Sequence, residues 1–485
     1  NLEYNLINYA NITTVGDWHH AALTWGNQNF SLYIDGNFHN SVLYNGIISE
    51  FSSKIYLGKL RNGAVSGAIL DEFKIYSREL SSDEIRSVYN YESGTYHINL
   101  TNLVFGIYSY YGAVNDISSA WNRTETRIFT VAKCGYTESG DWLIQNDLVY
   151  ENVTINLQNN NINITNGIIR FNNVTLLFDP TIPITKGIII SGTSNVTILK
   201  SNISSLVNRI YLNQTRGSHI SIKDSYLSGF GNSSTTEKEL GIVLRGGIYE
   251  IMHNSFSNNY YGLSIISNNN TFIIGNNTFI NNNDTGLYLS ISSNITIKDN
   301  NFSNSNNGLL LASSRNISVI NNIVQNSVTG IALTSSLNNL VRDNTGLNNS
   351  VNSLYLDSNS NSNNIVNNTF SNTQKDAIAV LNSLNNRLEN NTLNNNGFSG
   401  ILVFNSNSIV IINTFAKSSS YAGITFLNAR HNIIMNLTSL SNSNGLWFFD
   451  GINFNNTVVN SNLSNNGVGI RISNSTYDFL IQDSY

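Results

Sequence analysis

The sequence has few cysteines and few charges. Cys134 is the single cysteine among 485 residues, so no disulfide can form within the chain. This argues against a disulfide-rich secreted eukaryotic domain. Charged residues make up 11% of the chain, against about 25% in an average soluble domain. The net charge is −5 without a basic patch, which argues against nucleic acid as a partner.

Other sequence features are also missing. No run of 18 or more apolar residues occurs, so we expect no membrane span in this segment. Cysteine and histidine show no metal-ligand spacing, and we expect neither a metal site nor a cofactor. No signal peptide is visible, and we expect the chain to begin within a domain and to stop inside a repeat that opens at Gly469. We expect a segment of a longer extracellular, cell-surface polypeptide.

What the sequence does have is a repeat of 21 to 24 residues over its C-terminal two-thirds. Most copies open with a glycine and place apolar residues one and three positions later, as in Gly286-Leu287-Tyr288-Leu289. The glycines are Gly241, Gly262, Gly286, Gly308, Gly330, Gly400, Gly423, Gly445 and Gly469, while Ser353 and Ala377 take that place in two copies. A fixed period of this length is typical of a stacked array.

Each copy contains three strand signals. The first is the apolar pair after the glycine, and a second alternating pair follows about nine residues later. The third is a lone apolar residue after an asparagine cluster: Phe256, Phe279, Phe302, Ile323, Phe370, Leu393, Phe415 and Leu463. Three strands per turn with polar corners predict a parallel β-helix. We expect one inward column to contain Leu287, Leu309, Ile331, Leu354, Ile378 and Ile401.

Asparagine and aspartate recur thirteen residues after the first residue of a repeat. Asparagine tolerates the left-handed backbone that tight corners need, and stacked amides form hydrogen-bonded ladders. We predict a structural ladder of Asn254, Asp299, Asn321, Asp343, Asn390, Asn413 and Asn436.

The pattern Gly-Ile-x-Leu, Ser-x-Asn-Ile-x-Ile and Asn-Asn-x-Phe resembles the right-handed parallel β-helix repeats of pectate-lyase-like enzymes and many archaeal surface proteins. The segment from Cys134 to Asp147 is similar to the irregular first coil of such helices. The resemblance implies a right-handed parallel β-helix over residues 134–485. That fold is shared by lyases, hydrolases, binding proteins and scaffolds, so it does not decide the function.

The N-terminal part differs. Trp18-His19-His20, Leu32-Tyr33-Ile34-Asp35-Gly36, and Asp71-Glu72-Phe73 followed by a capped turn at Leu80-Ser81 resemble a laminin-G-like, concanavalin-type jelly roll. This resemblance implies the C-terminal half of such a domain over residues 1–92. Residues 93–133 resemble a small immunoglobulin-like β spacer. The predicted class is therefore all-β: a partial jelly-roll β-sandwich, a short β meander and a β-helix.

Half a jelly roll would leave strand edges unpaired and an apolar face uncovered, with Leu23, Leu32, Ile34 and Leu57 on it. Exposed edges pair readily with other chains. We expect either upstream residues or a neighbouring subunit to complete the domain, so self-assembly into a polymer or lattice is a predicted interaction.

Three functions fit these features. The first is a structural subunit of a surface layer or extracellular filament, the second a glycan-binding adhesin, and the third a polysaccharide lyase or hydrolase. Asp299 and Asp343 lie two coils apart, and Lys298, Arg342, His253 and Glu389 are expected on a solvated outer column. His19 and His20 have no acidic neighbour in sequence. We therefore expect no catalytic residues and no enzymatic activity.

Asn-x-Ser/Thr sequons are numerous. A bulky glycan needs water around its asparagine, so sequons in polar loops are better acceptors than sequons at corners. The candidates are Asn29, Asn122, Asn152, Asn213 and Asn232.

Overall fold

The structure is a computed structural model. It describes residues 18–26, 29–43, 73–76, 78–92, 106–110, 113–115, 121–123, 126–131, 140–181, 186–205, 209–232, 240–475 and 478–485. The chain divides into two compact units, Asn1–Val104 and Phe105–Tyr485.

The first unit contains an antiparallel sheet of strands Ala21–Gly26, Asn29–Ile34 and Asn37–Leu43. Its described helix is Ser82–Glu92. Ser81 and Glu84 cap this helix reciprocally, since Ser81 N donates to Glu84 Oε2 at 2.8 Å and Glu84 N donates to Ser81 Oγ at 3.3 Å. Leu23 is 46% exposed and Leu32 and Ile34 are half-buried, while Leu57 lies outside the described residues.

The second unit begins with two short antiparallel pairs. Gly106–Tyr110 pairs with Arg127–Val131, and Ala113–Asn115 pairs with Trp121–Arg123. The start of the predicted β-helix, residues 134–139 with Cys134, lies outside the described residues.

The chain then coils so that its strands form three parallel sheets around one core. Sheet I has fifteen strands: Trp142–Ile144, Ile162–Ile164, Gly187–Ile190, Tyr211–Gln214, Gly241–Arg245, Tyr261–Ile266, Thr285–Ser290, Asn307–Ala312, Thr329–Thr334, Asn352–Asp357, Ile378–Leu381, Ser399–Phe404, Ala422–Leu427, Asn444–Gly451 and Val468–Ser475.

Sheet II also has fifteen strands: Leu148–Glu151, Ile168–Asn172, Asn195–Leu199, His219–Lys223, Tyr249–Met252, Phe272–Gly275, Ile295–Lys298, Ser318–Ile320, Leu340–Arg342, Asn364–Val366, Arg387–Glu389, Val410–Ile412, Ile433–Met435, Asn456–Val459 and Phe479–Gln482.

Sheet III has thirteen strands: Thr154–Gln158, Thr175–Phe178, Asn202–Ser205, Tyr226–Ser228, Ser255–Ser257, Thr278–Ile280, Asn301–Ser303, Ile323–Gln325, Thr345–Leu347, Thr369–Ser371, Thr392–Asn394, Phe415–Lys417 and Thr438–Leu440. Each strand pairs with its equivalent one coil away, which is the arrangement of a parallel β-helix.

The inward column predicted from the repeat is confirmed. Leu287 pairs with Leu309, and the register continues through Ile331, Leu354, Ile378 and Ile401. These six side chains are fully buried in one continuous core. In sheet III, Phe256, Phe279 and Phe302 stack with ring centroids 4.9 Å apart. Because a single coil cannot bury its inner face, the core depends on stacking.

Two third-strand residues point the other way. Phe302 pairs with Val324 rather than Ile323, and Leu393 pairs with Ala416 rather than Phe415. Ile323 is consequently 44% exposed, while Val324 and Ala416 are fully buried. A strand of three residues has one inward position, and register with the neighbouring coils decides which residue fills it.

The repeat glycines are required by close approach between coils. A Cβ atom added at Gly286 would lie 2.5 Å from the carbonyl oxygen of Gly308, and one at Gly308 would lie 2.6 Å from that of Gly330. Real side chains do not tolerate such distances, so glycine is favoured at this position in successive coils.

Buried asparagines form an inner ladder between sheets II and III. Its members are Asn254, Asn277, Asn300, Asn322, Asn344, Asn368 and Asn391. Asn322 donates to Asn344 Oδ1 from both its backbone N, at 2.9 Å, and its Nδ2, at 3.0 Å. Asn344 Nδ2 in turn donates to Asn368 Oδ1 and to Val319 O. Each amide thereby satisfies backbone groups that are buried at the corner.

Replacing one amide should therefore be costly. We expect Asn344→Ala to lower the free energy of unfolding by about 2–4 kcal/mol, because it strands buried donors and acceptors on both neighbouring coils. Asn364→Ala is the matched control, since Asn364 is exposed in sheet II, and should change stability by less than about 0.5 kcal/mol. Chemical denaturation measures both, and equal losses would contradict the ladder's role.

A half-buried carboxyl should make stability depend on pH. Burial raises the pKa of Asp376 to about 6, although Ser399 N donates to its Oδ1 at 2.9 Å. The folded pKa lies above the unfolded value, so stability is greatest below about pH 4 and falls as pH rises through 6. We expect Asp376→Asn to raise the free energy of unfolding at pH 8 by about 1 kcal/mol, a figure reduced for the partial exposure of the carboxyl. The melting temperature should rise accordingly at pH 8 and change little at pH 4. A gain that is independent of pH would contradict this.

Candidate active site

Where sheet II passes into sheet III, one residue per coil adopts a left-handed backbone. We call these residues the corner column: Asn152, Asn173, Lys200, Asp224, His253, Asn276, Asp299, Asn321, Asp343, Asn367, Asn390, Asn413, Asn436, Asn460 and Asp483. The backbone N of one member donates to the strand of the next coil, as from Asp224 N to Met252 O at 3.1 Å. The column is thus a fixed part of the fold.

Two members break the composition of this column. Thirteen of its fifteen residues are asparagine or aspartate, which tolerate φ near +55°. The exceptions are Lys200 and His253, which lie on either side of Asp224. Lysine gains nothing from a left-handed backbone, so its presence here is unexplained by the fold. Backbone strain of this kind concentrates at functional sites.

These residues share an open groove of about 540 Å³. Lys200, Asp224 and His253 line it from three successive coils, and Tyr226 lines it from sheet III. Its remaining lining is polar and uncharged: Asn173, Thr175, Ser201, Asn202, Ser225, Asn254, Ser255, Asn276 and Thr278. Concave sites with a few convergent polar groups are the usual places for ligand binding and catalysis.

The charged side chains of the groove lie close to one another. His253 Nδ1 lies 3.8 Å from Asp224 Oδ1, and both side chains are open to solvent, at 58% and 46% exposure. Tyr226 is held in place by Ser257 Oγ, which donates to its hydroxyl oxygen at 2.8 Å. Just outside the groove, Lys223 forms an ion pair with Glu250. The groove therefore combines a base or acid, a carboxylate partner, a phenol and a cation.

Sequence reasoning placed His253 in the wrong column. Lys298, Arg342 and Glu389 end strands of sheet II, but His253 lies one position further along, in the corner column. The cause is coil length, because twelve residues separate Gly241 from His253 while thirteen separate Gly286 from Asp299. Lys200, Asp224 and Tyr226 were missed altogether. For Lys200 the signal is the loss of Asn/Asp from a column that otherwise favours it, whereas Asp224 and Tyr226 have no such signal.

The predicted Asn/Asp ladder is divided between two columns. Asp299, Asn321, Asp343, Asn390, Asn413 and Asn436 are corner-column residues, whereas Asn254 belongs to the buried inner ladder. Amide contacts also link exposed members, as Asn321 Nδ2 donates to Asp299 Oδ1 at 2.7 Å and Asn436 Nδ2 donates to Asn413 Oδ1 at 2.9 Å.

The predicted glycosylation sites occupy varied positions. Asn29 opens a strand, Asn122 lies within one, and Asn232 is exposed in a loop. Asn152 Oδ1 accepts from Asn173 Nδ2 at 2.7 Å, and Asn213 Oδ1 accepts from Arg245 Nη1 at 2.6 Å. These five sites stay predictions.

In the first unit, His19 does have an acidic partner. Its Nδ1 lies 2.8 Å from Asp35 Oδ2, and His20 N donates to Asp35 Oδ1 at 2.9 Å. The partner is distant in sequence because a strand pair brings it back. Partial burial acts to raise the pKa of Asp35, but these contacts lower it overall. Within the described residues, no three His, Cys, Asp or Glu side chains converge as a metal site.

Two protein families match parts of this chain. Residues 240–372 and 356–484 match the right handed beta helix region. The chain belongs to this right-handed β-helix family. Residues 2–86 match the concanavalin A-like lectin/glucanases superfamily. Both matches confirm the fold class predicted from the sequence. No curated protein matches the chain.

Solved structures similar to this β-helix protein include enzymes. A double mutant of the periplasmic alginate epimerase AlgG has 15% identity and a TM-score of 0.47, covering 60% of this chain and 78% of its own. The mannuronan C-5 epimerase AlgE6 A-module of Azotobacter vinelandii has 13% identity and a TM-score of 0.41, and the match covers 68% of this chain and 90% of the A-module. The GH87 α-1,3-glucanase catalytic unit of Streptomyces thermodiastaticus has 14% identity and a TM-score of 0.38, and the match covers 69% of this chain and 63% of the glucanase unit.

This finding corrects one expectation. The sequence was interpreted as that of a protein without enzymatic activity, because its carboxylates looked dispersed. That interpretation is wrong, since the similar solved structures are polysaccharide epimerases and glucanases. At 13–15% identity and TM-scores below 0.5, the likeness does not extend to a substrate or a mechanism. Separately, no helix among the described residues has the length and hydropathy to cross a membrane.

The left-handed backbone at Lys200 generates a test that does not depend on activity. We expect Lys200→Asn to raise the free energy of unfolding by about 0.5–1 kcal/mol, because asparagine tolerates this conformation better. Lys417→Asn, in a strand of sheet III with no positive φ, should give no gain. Chemical denaturation of both variants measures these changes. A lower free energy of unfolding in Lys200→Asn would contradict the strain argument.

Proposed function

We propose that this protein is an enzyme that acts on an acidic, uronate-containing polysaccharide by removing the proton next to the sugar carboxylate. The observation that carries this proposal is the meeting of Lys200, Asp224, Tyr226 and His253 in one open groove. Polar walls on five successive coils give the groove the extended form that a linear sugar chain needs.

The charges favour an acidic substrate over a neutral one. Glycoside hydrolysis usually employs two carboxyl groups flanking the bond. Among the described residues that line the groove, Asp224 is the single carboxylate, whereas Lys200 and His253 can both face an anion. Cations that neutralise a substrate carboxylate make the neighbouring C–H bond more acidic, so this set suits elimination better than hydrolysis.

Each residue has a role that follows from its chemistry. His253 takes the proton from C5, and Asp224, 3.8 Å from its Nδ1, stabilises the imidazolium that forms. Lys200 stabilises the negative charge that develops on the uronate carboxylate. Tyr226, positioned by Ser257, donates a proton to the leaving glycosidic oxygen.

The step balances without a further reagent. The C5–H bond breaks as His253 takes the proton, and its electron pair is held as an enediolate on the uronate carboxylate. That pair then forms the C4=C5 double bond as the C4–O bond breaks, and the C4–O electrons remain on the glycosidic oxygen, which takes the tyrosine proton. A proton passing from His253 to Tyr226 through solvent restores both side chains. The products are a chain with a new reducing end and a chain with an unsaturated uronate at its non-reducing end.

Other expectations stay proposals alongside this one. An extracellular location accords with a polysaccharide substrate, and surface glycans are the partners it implies. The domain limits 1–92, 93–133 and 134–485 remain predictions. Self-assembly also remains one, whereas a surface-layer or filament role gains no support from the comparisons.

Activity assays with variants test the proposal. We expect the purified chain to release products with the ultraviolet absorbance of a C4=C5 uronate from at least one polyuronate, such as polymannuronate or polygalacturonate. His253→Ala should lower kcat by about 10²–10⁴-fold, as for loss of a general base. Lys200→Gln should lower kcat as well, because its charge acts on the developing anion.

The control uses the same column of the fold. Asp299→Asn replaces a corner-column residue two coils beyond His253, outside the groove lining, and should leave kcat and KM unchanged. Reaction in deuterated water separates the alternatives, since deuterium at C5 without chain cleavage would indicate epimerisation instead of elimination. The proposal fails if no polyuronate is altered or if His253→Ala retains full activity.

A further inference from the structure

A second feature lies at another corner, where sheet III passes into sheet I, and on the adjoining strand of sheet I. We call it the aromatic stack: Phe398, Tyr421 and Trp447, from three successive coils. The ring centroids of Phe398 and Tyr421 are 5.0 Å apart with planes 17° from parallel, and those of Tyr421 and Trp447 are 5.2 Å apart at 26°. The guanidinium carbon of Arg471 lies 4.8 Å from the Trp447 ring centroid.

Two of the three rings are open to solvent. Phe398 is 47% exposed and Tyr421 is 44% exposed, whereas Trp447 is tucked in and donates from Nε1 to Ser473 Oγ at 2.9 Å. Core packing does not require the exposed rings, because the inward column beneath them is complete with Ile401 and Ile424. Contiguous exposed apolar surface of this kind marks interaction sites.

Arg471 contacts the stack, and two exposed lysines lie on its coils. Exposed Lys375 is in the coil before Phe398, and Phe398 N donates to its carbonyl oxygen at 3.0 Å. Exposed Lys417 is in the same coil as Tyr421, four residues earlier, and Arg471 covers the far end of the stack. The neighbouring carboxyl of Asp376 is half-buried and accepts from Ser399 N. The surface is therefore both aromatic and cationic.

That combination selects a ligand class. The apolar C–H face of a pyranose ring packs against an aromatic ring, with the edges of such rings supplying additional contact area. Lysine and arginine bind carboxylates, and arginine does so with two parallel hydrogen bonds. A neutral glycan would use the rings alone, and a simple anion would use the cations alone. A uronate chain uses both.

We propose that the aromatic stack is a second binding site for a uronate-containing polysaccharide chain, distinct from the groove. The proposal rests on the proposed function for its substrate class. His253 and Asn390, the corner residue of the coil that contains Phe398, are six coils apart in the corner column. At about 4.8 Å per coil this is about 29 Å. A long chain can occupy both sites, while a short one cannot.

Binding at two linked sites raises the apparent affinity for long chains without altering chemistry in the groove. The double variant Phe398→Ala/Tyr421→Ala should therefore raise Kd and KM for a long polyuronate about tenfold, equivalent to about 1.4 kcal/mol. Its kcat, and its kcat/KM on a uronate tetrasaccharide, should remain those of the wild type. Lys417→Gln should weaken polyuronate binding in the same way, more strongly at low salt.

Matched variants keep the test decisive. Val328→Ala changes a 40% exposed apolar residue at the same corner, three coils before Phe398, and should leave Kd unchanged. Tyr421→Phe retains the ring and should retain binding. Circular dichroism and the melting temperature establish that each variant is folded, and calorimetric titration of the full chain with a long polyuronate and with dextran gives the affinities.

The outcomes also separate this proposal from the function of the groove. In a His253→Ala background, which is inactive if the groove is catalytic, adding Phe398→Ala/Tyr421→Ala should still raise the Kd for the long polyuronate about tenfold. Wild-type Kd in the folded Phe398→Ala/Tyr421→Ala variant would overturn the second site, whatever the activity assays show. Equal affinity for dextran and polyuronate, or no binding of polyuronate by the wild type, would overturn it as well.

Discussion

The close approach of successive coils is the constraint on which the rest of this structure depends. Parallel strands about 4.8 Å apart leave no room for a Cβ at Gly286 or Gly308. The same spacing lets the amide of Asn322 reach the amide of Asn344 in register. Backbone groups at buried corners are thereby paired along the axis, so each coil is stable because its neighbours are present.

This constraint explains why the fold could be predicted from the sequence. Glycines, inward aliphatics and corner asparagines each leave a periodic trace, because every coil needs them at the same place. The prediction of the inward residue failed in short strands of sheet III where apolar and polar residues do not alternate. Next to Ile323 and Phe415 stand Val324 and Ala416, which are also apolar, and register with the adjacent coils alone decides which residue faces inward.

The candidate site was harder to foresee for a related reason. Counting a fixed number of residues from each glycine assigned His253 and Asn254 to the wrong columns, since their coil is one residue shorter before the corner. Lys200 lies 24 positions before Asp224 and Tyr226 only two after it, and the three match no local motif. They become recognisable together only when the coils are aligned in space and the corner column is compared along its whole length.

The corner column has a consequence for how such a protein can change over time. Its backbone shape and axial hydrogen bonds are alike from Asn152 to Asp483, while its side chains face outward and contribute little to the core. New chemistry can therefore arise at any level of the rod by substitution at a few solvent-facing positions. During evolution, a catalytic group can be gained at the equivalent position of one coil and lost from another while the scaffold stays intact. The corner column thus offers one equivalent position per coil for new activities.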